Sequence, residues 1–191
     1  LEGLRGGYEK YLFLLAISFF GAVFVTPLVR AFAFKVEALD VPDAKRKTHR
    51  APTALLGGVG VYVVFVGTCF LMTVVSREMK GIFLASALIL AVGVTDDVFG
   101  GLSSKIRLGV QLLATVIVIA FGVHLDFYPH TVWGRALSCV LTVVWIVGLT
   151  NSMNYLDGMD GLATGLAAIS AGMFLIISYS TNRASVSFVS A

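Results

Sequence analysis

Three short polar stretches of this chain, separated by long apolar runs, carry side chains suited to handling phosphate groups. The first reads Asp40-Val-Pro-Asp43-Ala-Lys45-Arg46-Lys47-Thr-His49-Arg50-Ala-Pro52-Thr53, followed by Gly57-Gly58. Four cations and a histidine within six residues, flanked by prolines that restrict the backbone, suit an anion with several phosphates. The plainer reading is a solvated basic loop that touches anionic lipid headgroups and does nothing else. Gly57-Gly58 admits close approach by a ligand or by a neighbouring helix, packing being the commoner reason.

The second stretch is Thr95-Asp96-Asp97-Val-Phe99-Gly100-Gly101-Leu-Ser-Ser104-Lys105-Ile-Arg107, with Gln111 one turn inside the next helix. Adjacent carboxylates repel each other, and a hard divalent cation or a facing cationic group relieves that repulsion. An ordinary acidic helix C-terminus is the structural alternative, although acids at the negative end of a helix dipole are locally unfavourable. The third stretch, Asn151-Ser-Met-Asn154-Tyr-Leu-Asp157-Gly158-Met-Asp160-Gly161-Leu162, repeats an amide or carboxylate every third residue. Asn pairs with sugar or base edges, and Asp offers oxygen ligands to a cation. Gly158 and Gly161 argue for a turning backbone, with Asp160 as a helix N-cap in the structural reading. Capping leaves Asn151 and Asn154 unexplained.

The elements that position these stretches follow from composition. Of 191 residues, 58% are hydrophobic and 13% charged, and the mean hydropathy is +0.91. That excludes an ordinary soluble domain and predicts an all-α, polytopic transmembrane helix bundle. Apolar runs long enough for a hydrocarbon core of roughly 30 Å lie near 11–34, 54–75, 81–95, 106–123, 133–150 and 162–180. About six spans are therefore expected in a single integral-membrane domain over residues 1–191. The third run is short and is expected to reach back to Arg77 or Lys80, whose long side chains can snorkel. Cys69 and Cys139 fall within apolar runs and act as small apolar residues.

Lys35, Lys45, Arg46, Lys47 and Arg50 cluster in the first inter-helix loop, which the positive-inside rule places in the cytoplasm, with the N-terminus outside. Span parity then puts the loops at about 35–53, 96–105 and 151–161 on one cytoplasmic face. A carboxylate at mid-bilayer is penalised by roughly 2.5–3.5 kcal/mol, so the acidic pairs belong at helix ends. Acids and bases from three distant loops can converge there. His124 and His130 fall on the other side near an apolar loop, in a structural or solvated role, while the aromatics Trp133, Tyr128 and Tyr11 fit an interfacial belt. No nucleotide-binding glycine turn, P-loop, Ser-His-Asp order or zinc set is present, and nothing indicates a nucleic-acid partner.

Taken together, the three stretches resemble the polyprenyl-phosphate N-acetylhexosamine-1-phosphate transferases of glycosyltransferase family 4. The matching features are Arg46-Lys47-Thr-His49-Arg-Ala-Pro52-Thr53 with Gly57-Gly58, Asp96-Asp97 with Gly-Leu-Ser before a basic residue, and Asn151-x-x-Asn154-x-x-Asp157-Gly-x-Asp160-Gly-Leu. The compact Arg-Lys-x-His loop is closer to the WecA/TagO branch than to the MraY branch. The resemblance implies transfer of a sugar 1-phosphate, N-acetylglucosamine 1-phosphate in this branch, from a UDP-sugar to undecaprenyl or another polyprenyl phosphate, with release of UMP. Such a reaction is the first membrane step of cell-surface polysaccharide synthesis, as for lipopolysaccharide or teichoic acid. It places the protein in the bacterial cytoplasmic membrane, among membrane lipids, as a homodimer or a monomer. The resemblance further implies Mg²⁺, with Mn²⁺ as an alternative.

On that resemblance, Asp96, Asp97, Asp157 and Asp160 form the catalytic set. Asp97, Asp157 and Asp160 are the metal ligands, and Arg46, Lys47, His49, Lys105, Asn151 and Asn154 bind substrate. Gly100-Gly101 carries an extra glycine relative to the family pattern, so Arg107 competes with Lys105 for the phosphate position. The family's later loops, which supply a further Asp and a histidine-rich segment, are not found in these residues, so the chain is expected to be the N-terminal part of a longer transferase, inactive by itself. Rival readings are an MraY-like phospho-MurNAc-pentapeptide transferase, a secondary transporter or channel, and a non-catalytic lipid-binding module. A transporter should place polar groups near mid-span, whereas here the acids lie at one end.

Overall fold

A computed structural model describes residues 9–40, 52–72, 75–125, 131–157 and 161–180. Six helices appear in chain order: α1 (Glu9–Lys35), α2 (Gly57–Met72), α3 (Arg77–Phe99), α4 (Ser104–Ala120), α5 (Val132–Leu156) and α6 (Leu162–Ser180). Two two-residue strands, β1 (Leu39–Asp40) and β2 (Thr53–Ala54), pair antiparallel between α1 and α2, with Leu39 opposite Ala54 and Asp40 opposite Thr53. The architecture is the expected all-α bundle. Each predicted apolar run is a helix.

Helix ends are set by hydrogen bonds and not by hydropathy. α3 begins at Arg77, the earlier of the two expected starts, where Ser76 caps it by accepting from Met79 N. The helix then runs past the predicted 95 to Phe99, because the i→i−4 pattern persists until Gly100 turns at φ +70° after donating to the Asp96 carbonyl at 2.8 Å. Asp96 and Asp97 thus sit on the last turn of a helix and not in a loop, and the α3–α4 connection shrinks to residues 100–103. Asn151 and Asn154 likewise belong to α5, which extends to Leu156. α1 ends in a left-handed turn: Glu37 has φ +58° and Ala38 N donates to the Ala33 carbonyl at 3.0 Å. The two alanines meet in a buried contact, the usual companion of that motif.

Tyr11–Lys35, Arg77–Phe99 and Val132–Leu156 are long and apolar enough to cross a membrane, and Gly57–Leu71 and Leu162–Ile177 are shorter apolar helices. The packing is that of a membrane protein. Large apolar side chains such as Phe20, Phe24, Phe70 and Trp145 point outward, while the small polar Thr115, Ser138 and Thr142 are buried between elements. In lipid, apolar side chains gain little from meeting each other, so small residues that allow close contact line the interfaces. Thr115 and Thr142 return their hydroxyls to the carbonyls of Gln111 and Ser138, which satisfies them in place. The most extensive pairings are α3 with α4, α1 with α2, and α4 with α5. Ala85, Ala114 and Val118 form the buried centre of the α3–α4 contact.

Candidate functional site

One end of the bundle gathers the polar stretches. Ala33, Ala38 and Leu56 form a buried cluster at the α1–α2 junction, and Val94, two residues before Asp96, packs against it. The C-terminal end of α3 therefore lies beside the β1–β2 ladder, whose strands hold both sides of the basic stretch. Arg46, Lys47 and His49 themselves lie outside the described residues. Gly58 faces Leu90 of α3, where an added Cβ would sit 3.4 Å from Leu90 Cδ1. Packing accounts for that glycine.

Asp96 organises the α3–α4 turn. Its Oδ1 accepts from Leu102 N at 2.8 Å, and its Oδ2 lies 3.3 Å from Arg107 Nη2. Arg107 also donates to the Leu102 carbonyl from Nε at 3.3 Å and Nη2 at 3.1 Å. The extra glycine has a role here, since Gly100 and Gly101 both adopt positive φ, +70° and +78°, in bringing Leu102 N onto Asp96. A β-carbon disfavours that region by about 1–2 kcal/mol. An acid at the negative end of α3 and a base in the first turn of α4 are each placed against their helix dipole, and pairing them offsets both penalties. The Arg107 side chain remains 45% exposed despite these contacts.

Asp97 is exposed on the same helical turn. Lys105 is exposed in the first turn of α4, and among the described residues it has no ion pair. At 100° per residue, Lys105 stands about 200° around α4 from Arg107, whereas Arg107 and Gln111, four apart, share a face. That face meets α5. Gln111 Oε1 accepts from Asn151 Nδ2 at 2.7 Å, Gln111 Nε2 approaches Asn151 Oδ1 at 3.5 Å, and Asn151 Nδ2 also donates to the Val147 carbonyl at 2.8 Å. Two separate polar bridges, Asp96–Arg107 and Gln111–Asn151, thus link α3 to α4 and α4 to α5.

Beyond Asn151, Asn154 is exposed in the last turn of α5, and Asp157 is its exposed C-cap, donating its N–H to the Met153 carbonyl at 3.0 Å. Asp160 lies outside the described residues; Gly161 follows with φ +75° and its carbonyl accepts from Gly165 N at the start of α6. Among the described residues, no three acidic, histidine or cysteine side chains converge on one point. The oxygen donors at this end, Asp97 and Asp157 among them, are of the hard type that suits Mg²⁺.

The residue that sequence reasoning left unassigned is Gln111. Its signal was available in the sequence: an amide within an apolar helix, four residues from Arg107, needs a polar partner on a neighbouring element.

A model of the glycosyl transferase family 4 matches residues 79–191. Among curated relatives, the chain is 30% identical over 173 residues to a probable undecaprenyl-phosphate N-acetylglucosaminyl 1-phosphate transferase of Bacillus subtilis, covering 87% of this chain and 48% of the relative. It is 32% identical over 185 residues to an undecaprenyl-phosphate alpha-N-acetylglucosaminyl 1-phosphate transferase of Yersinia pestis, covering 92% and 48%. It is 32% identical over 164 residues to a decaprenyl-phosphate N-acetylglucosaminephosphotransferase of Mycobacterium tuberculosis, covering 78% and 40%. The chain spans about half the length of the curated relatives it matches. No solved structure matches it.

Proposed function

This chain belongs to glycosyl transferase family 4, and from that membership we propose that the intact protein transfers N-acetylglucosamine 1-phosphate from its UDP-sugar to a polyprenyl phosphate, releasing UMP. The observation that carries the reading is the pair of polar bridges at one end of the bundle, Asp96 to Arg107 and Gln111 to Asn151, with exposed Asp97, Asn154 and Asp157 on the same helix ends. The three relatives named above carry N-acetylglucosaminyl phosphate transfer in their names, which favours that sugar over a muramoyl pentapeptide.

The acceptor is a lipid phosphate whose second pKa is about 6 by analogy with phosphorylated side chains, so near neutral pH it is already largely ionised. The protein's task is then to hold two anions in line and neutralise them, and little general base is required. Arg107 is assigned as the phosphate-facing cation of α4, because Asp96 and Leu102 fix its guanidinium at the α3–α4 turn while its side chain stays 45% exposed. Lys105, on the other side of α4, is a secondary contact. Arg46, Lys47 and His49 add charge from the first loop, and Asn154 orients the donor.

Asp97, Asp157 and Asp160 are the set offered to Mg²⁺, or Mn²⁺ in its place, which when bound supplies charge neutralisation on the diphosphate. Asp96, with both oxygens engaged, acts through Arg107 as a positioning residue. The site faces the cytoplasm from the bacterial inner membrane, on the basic cluster of the first loop, and the product feeds cell-surface polysaccharide synthesis.

The test incubates the intact protein in detergent with labelled UDP-N-acetylglucosamine, polyprenyl phosphate and Mg²⁺. Labelled sugar should enter the lipid phase. Its absence with every nucleotide sugar tried overturns the proposal.

A further inference from the structure

We infer that Gln111 and Asn151 form an interhelical brace that sets Asn154 of α5 against Arg107 of α4, and that Asn151 is a positioning residue and not a substrate ligand. The inference rests on the functional reading above. Sequence placed Asn151 with Asn154 as two equivalent amides. The structure separates them.

Both hydrogens of the Asn151 amide are used within the bundle, one by Gln111 Oε1 at 2.7 Å and one by the Val147 carbonyl at 2.8 Å. Its carbonyl oxygen faces Gln111 Nε2 at 3.5 Å, near the limit of a hydrogen bond. An amide engaged in this way has no hydrogen left for a sugar or base edge. Asn154, three residues further toward the helix end, is exposed and has no such engagement among the described residues. On α4, Arg107 lies one turn beyond Gln111 toward the same end, and the Asp96 carboxylate ties it to α3. Two cross-braces, one turn apart, thus fix three helices in sequence: Asp96–Arg107 joins α3 to α4, and Gln111–Asn151 joins α4 to α5.

The placement matters because, apart from the small hydroxyl side chains Thr115, Ser138 and Thr142, α4 and α5 meet through apolar contacts such as Ile146 against the Ala114–Val118 cluster. Such surfaces tolerate sliding or rotation by an ångström, and misplacement of that size between two phosphate-handling groups lowers a transfer rate by roughly 10²-fold. A reciprocal amide pair accepts one register only. Gln111 sits seven residues into α4, about 10 Å below its start, so the brace forms the floor of the polar end and leaves the surface above it to the substrates.

The test uses the intact protein and kinetic constants for both substrates. Q111L and N151L should each lower kcat by roughly 10- to 100-fold, and the double variant should be no worse than either single, because both remove one shared interaction. Q111N and N151Q alone should also be impaired, whereas Q111N/N151Q, which restores the combined length of the bridge, should recover most of the loss. A role in general stability alone would not produce that exchange rescue in kcat. Loss of activity in N151L with Q111L at the wild-type rate would make Asn151 a direct ligand and overturn the inference, as would a swap no better than the single variants.

A readout without turnover separates this from failure of the functional reading. In a protein with Cys69 and Cys139 replaced by Ala, Q111C/N151C should be joined by a short bismaleimide. No crosslink overturns the brace, while a crosslink in this variant, together with a wild-type protein that transfers nothing, leaves the brace standing and removes the proposed reaction.

Discussion

The two ends of the bundle close in different ways. At the end away from Asp96, Asp97 and Asp157, Arg77 donates to the Ala120 carbonyl at 3.0 Å, Leu125 N donates to Thr142 Oγ1 at 2.9 Å, and Gly81 lies so close to Phe121 that a β-carbon has no room. Polar groups there meet backbone groups and packing is tight, as for a terminus that only has to be stable. At the acidic end, carboxylates sit on helix C-termini and an arginine on a helix N-terminus, against the preference of both dipoles. Some of that charge is consumed in the Asp96–Arg107 clasp, while Asp157 and Asn154 stay exposed. The dipoles do not favour acids gathered there, and the proposed metal-assisted phosphate site would give them a use.

If the contrast is sound, substitutions at the two ends should fail in different assays. The largest effect is expected for Asp97→Asn and Asp157→Asn in the intact protein, each lowering the transfer rate by roughly 10²–10³-fold with little change in detergent melting temperature. Melting that falls in parallel with activity would make these acids structural. Next, Arg107→Ala should reduce kcat/KM by about 10- to 100-fold, and Lys105→Ala by less than about 5-fold. Equal effects, or the reverse order, would remove the argument from the α4 face.

At the opposite end, Gly81→Ala should destabilise by about 1–3 kcal/mol through its clash with Phe121, read as a lower melting temperature with KM for both substrates unchanged. A shifted KM would show that the ends are coupled. The smallest effect is expected for Glu37→Gly, which relieves the left-handed conformation at the end of α1 and should stabilise by ~0.5–1 kcal/mol with activity intact.

Much of the scaffold was legible before any coordinates. Length and apolarity located six helices because each needs only an uninterrupted run. The short third run pointed back to Arg77 or Lys80 as its start, and the Ser76 cap selects Arg77. Hydropathy misjudged the tips. A carboxylate ends an apolar run, yet the backbone of α3 continues through Asp96 and Asp97 until Gly100 adopts a conformation that helices exclude. For the same reason Asn151 and Asn154, read within a loop, are the last turns of α5.

The candidate site was legible as a set of residue types and as a shared end, but not as a division of labour. Adjacent aspartates look equivalent in sequence, and only the turn through Gly101 brings Leu102 N and Arg107 onto Asp96. Lys105 and Arg107 were inseparable until the helix fixed their azimuths. The Gln111–Asn151 pair joins positions forty residues apart, a pairing that no local pattern specifies.

The most direct test of the central claim follows both the sugar and its phosphate. The intact protein would be given UDP-N-acetylglucosamine carrying ¹⁴C in the sugar and ³²P in the β-phosphate, together with polyprenyl phosphate and Mg²⁺. The account predicts that both labels enter the lipid phase in equal amounts while unlabelled UMP appears in the aqueous phase. Sugar label in the lipid with ³²P-labelled UDP left in water would mean transfer of the sugar without its phosphate, and would contradict it.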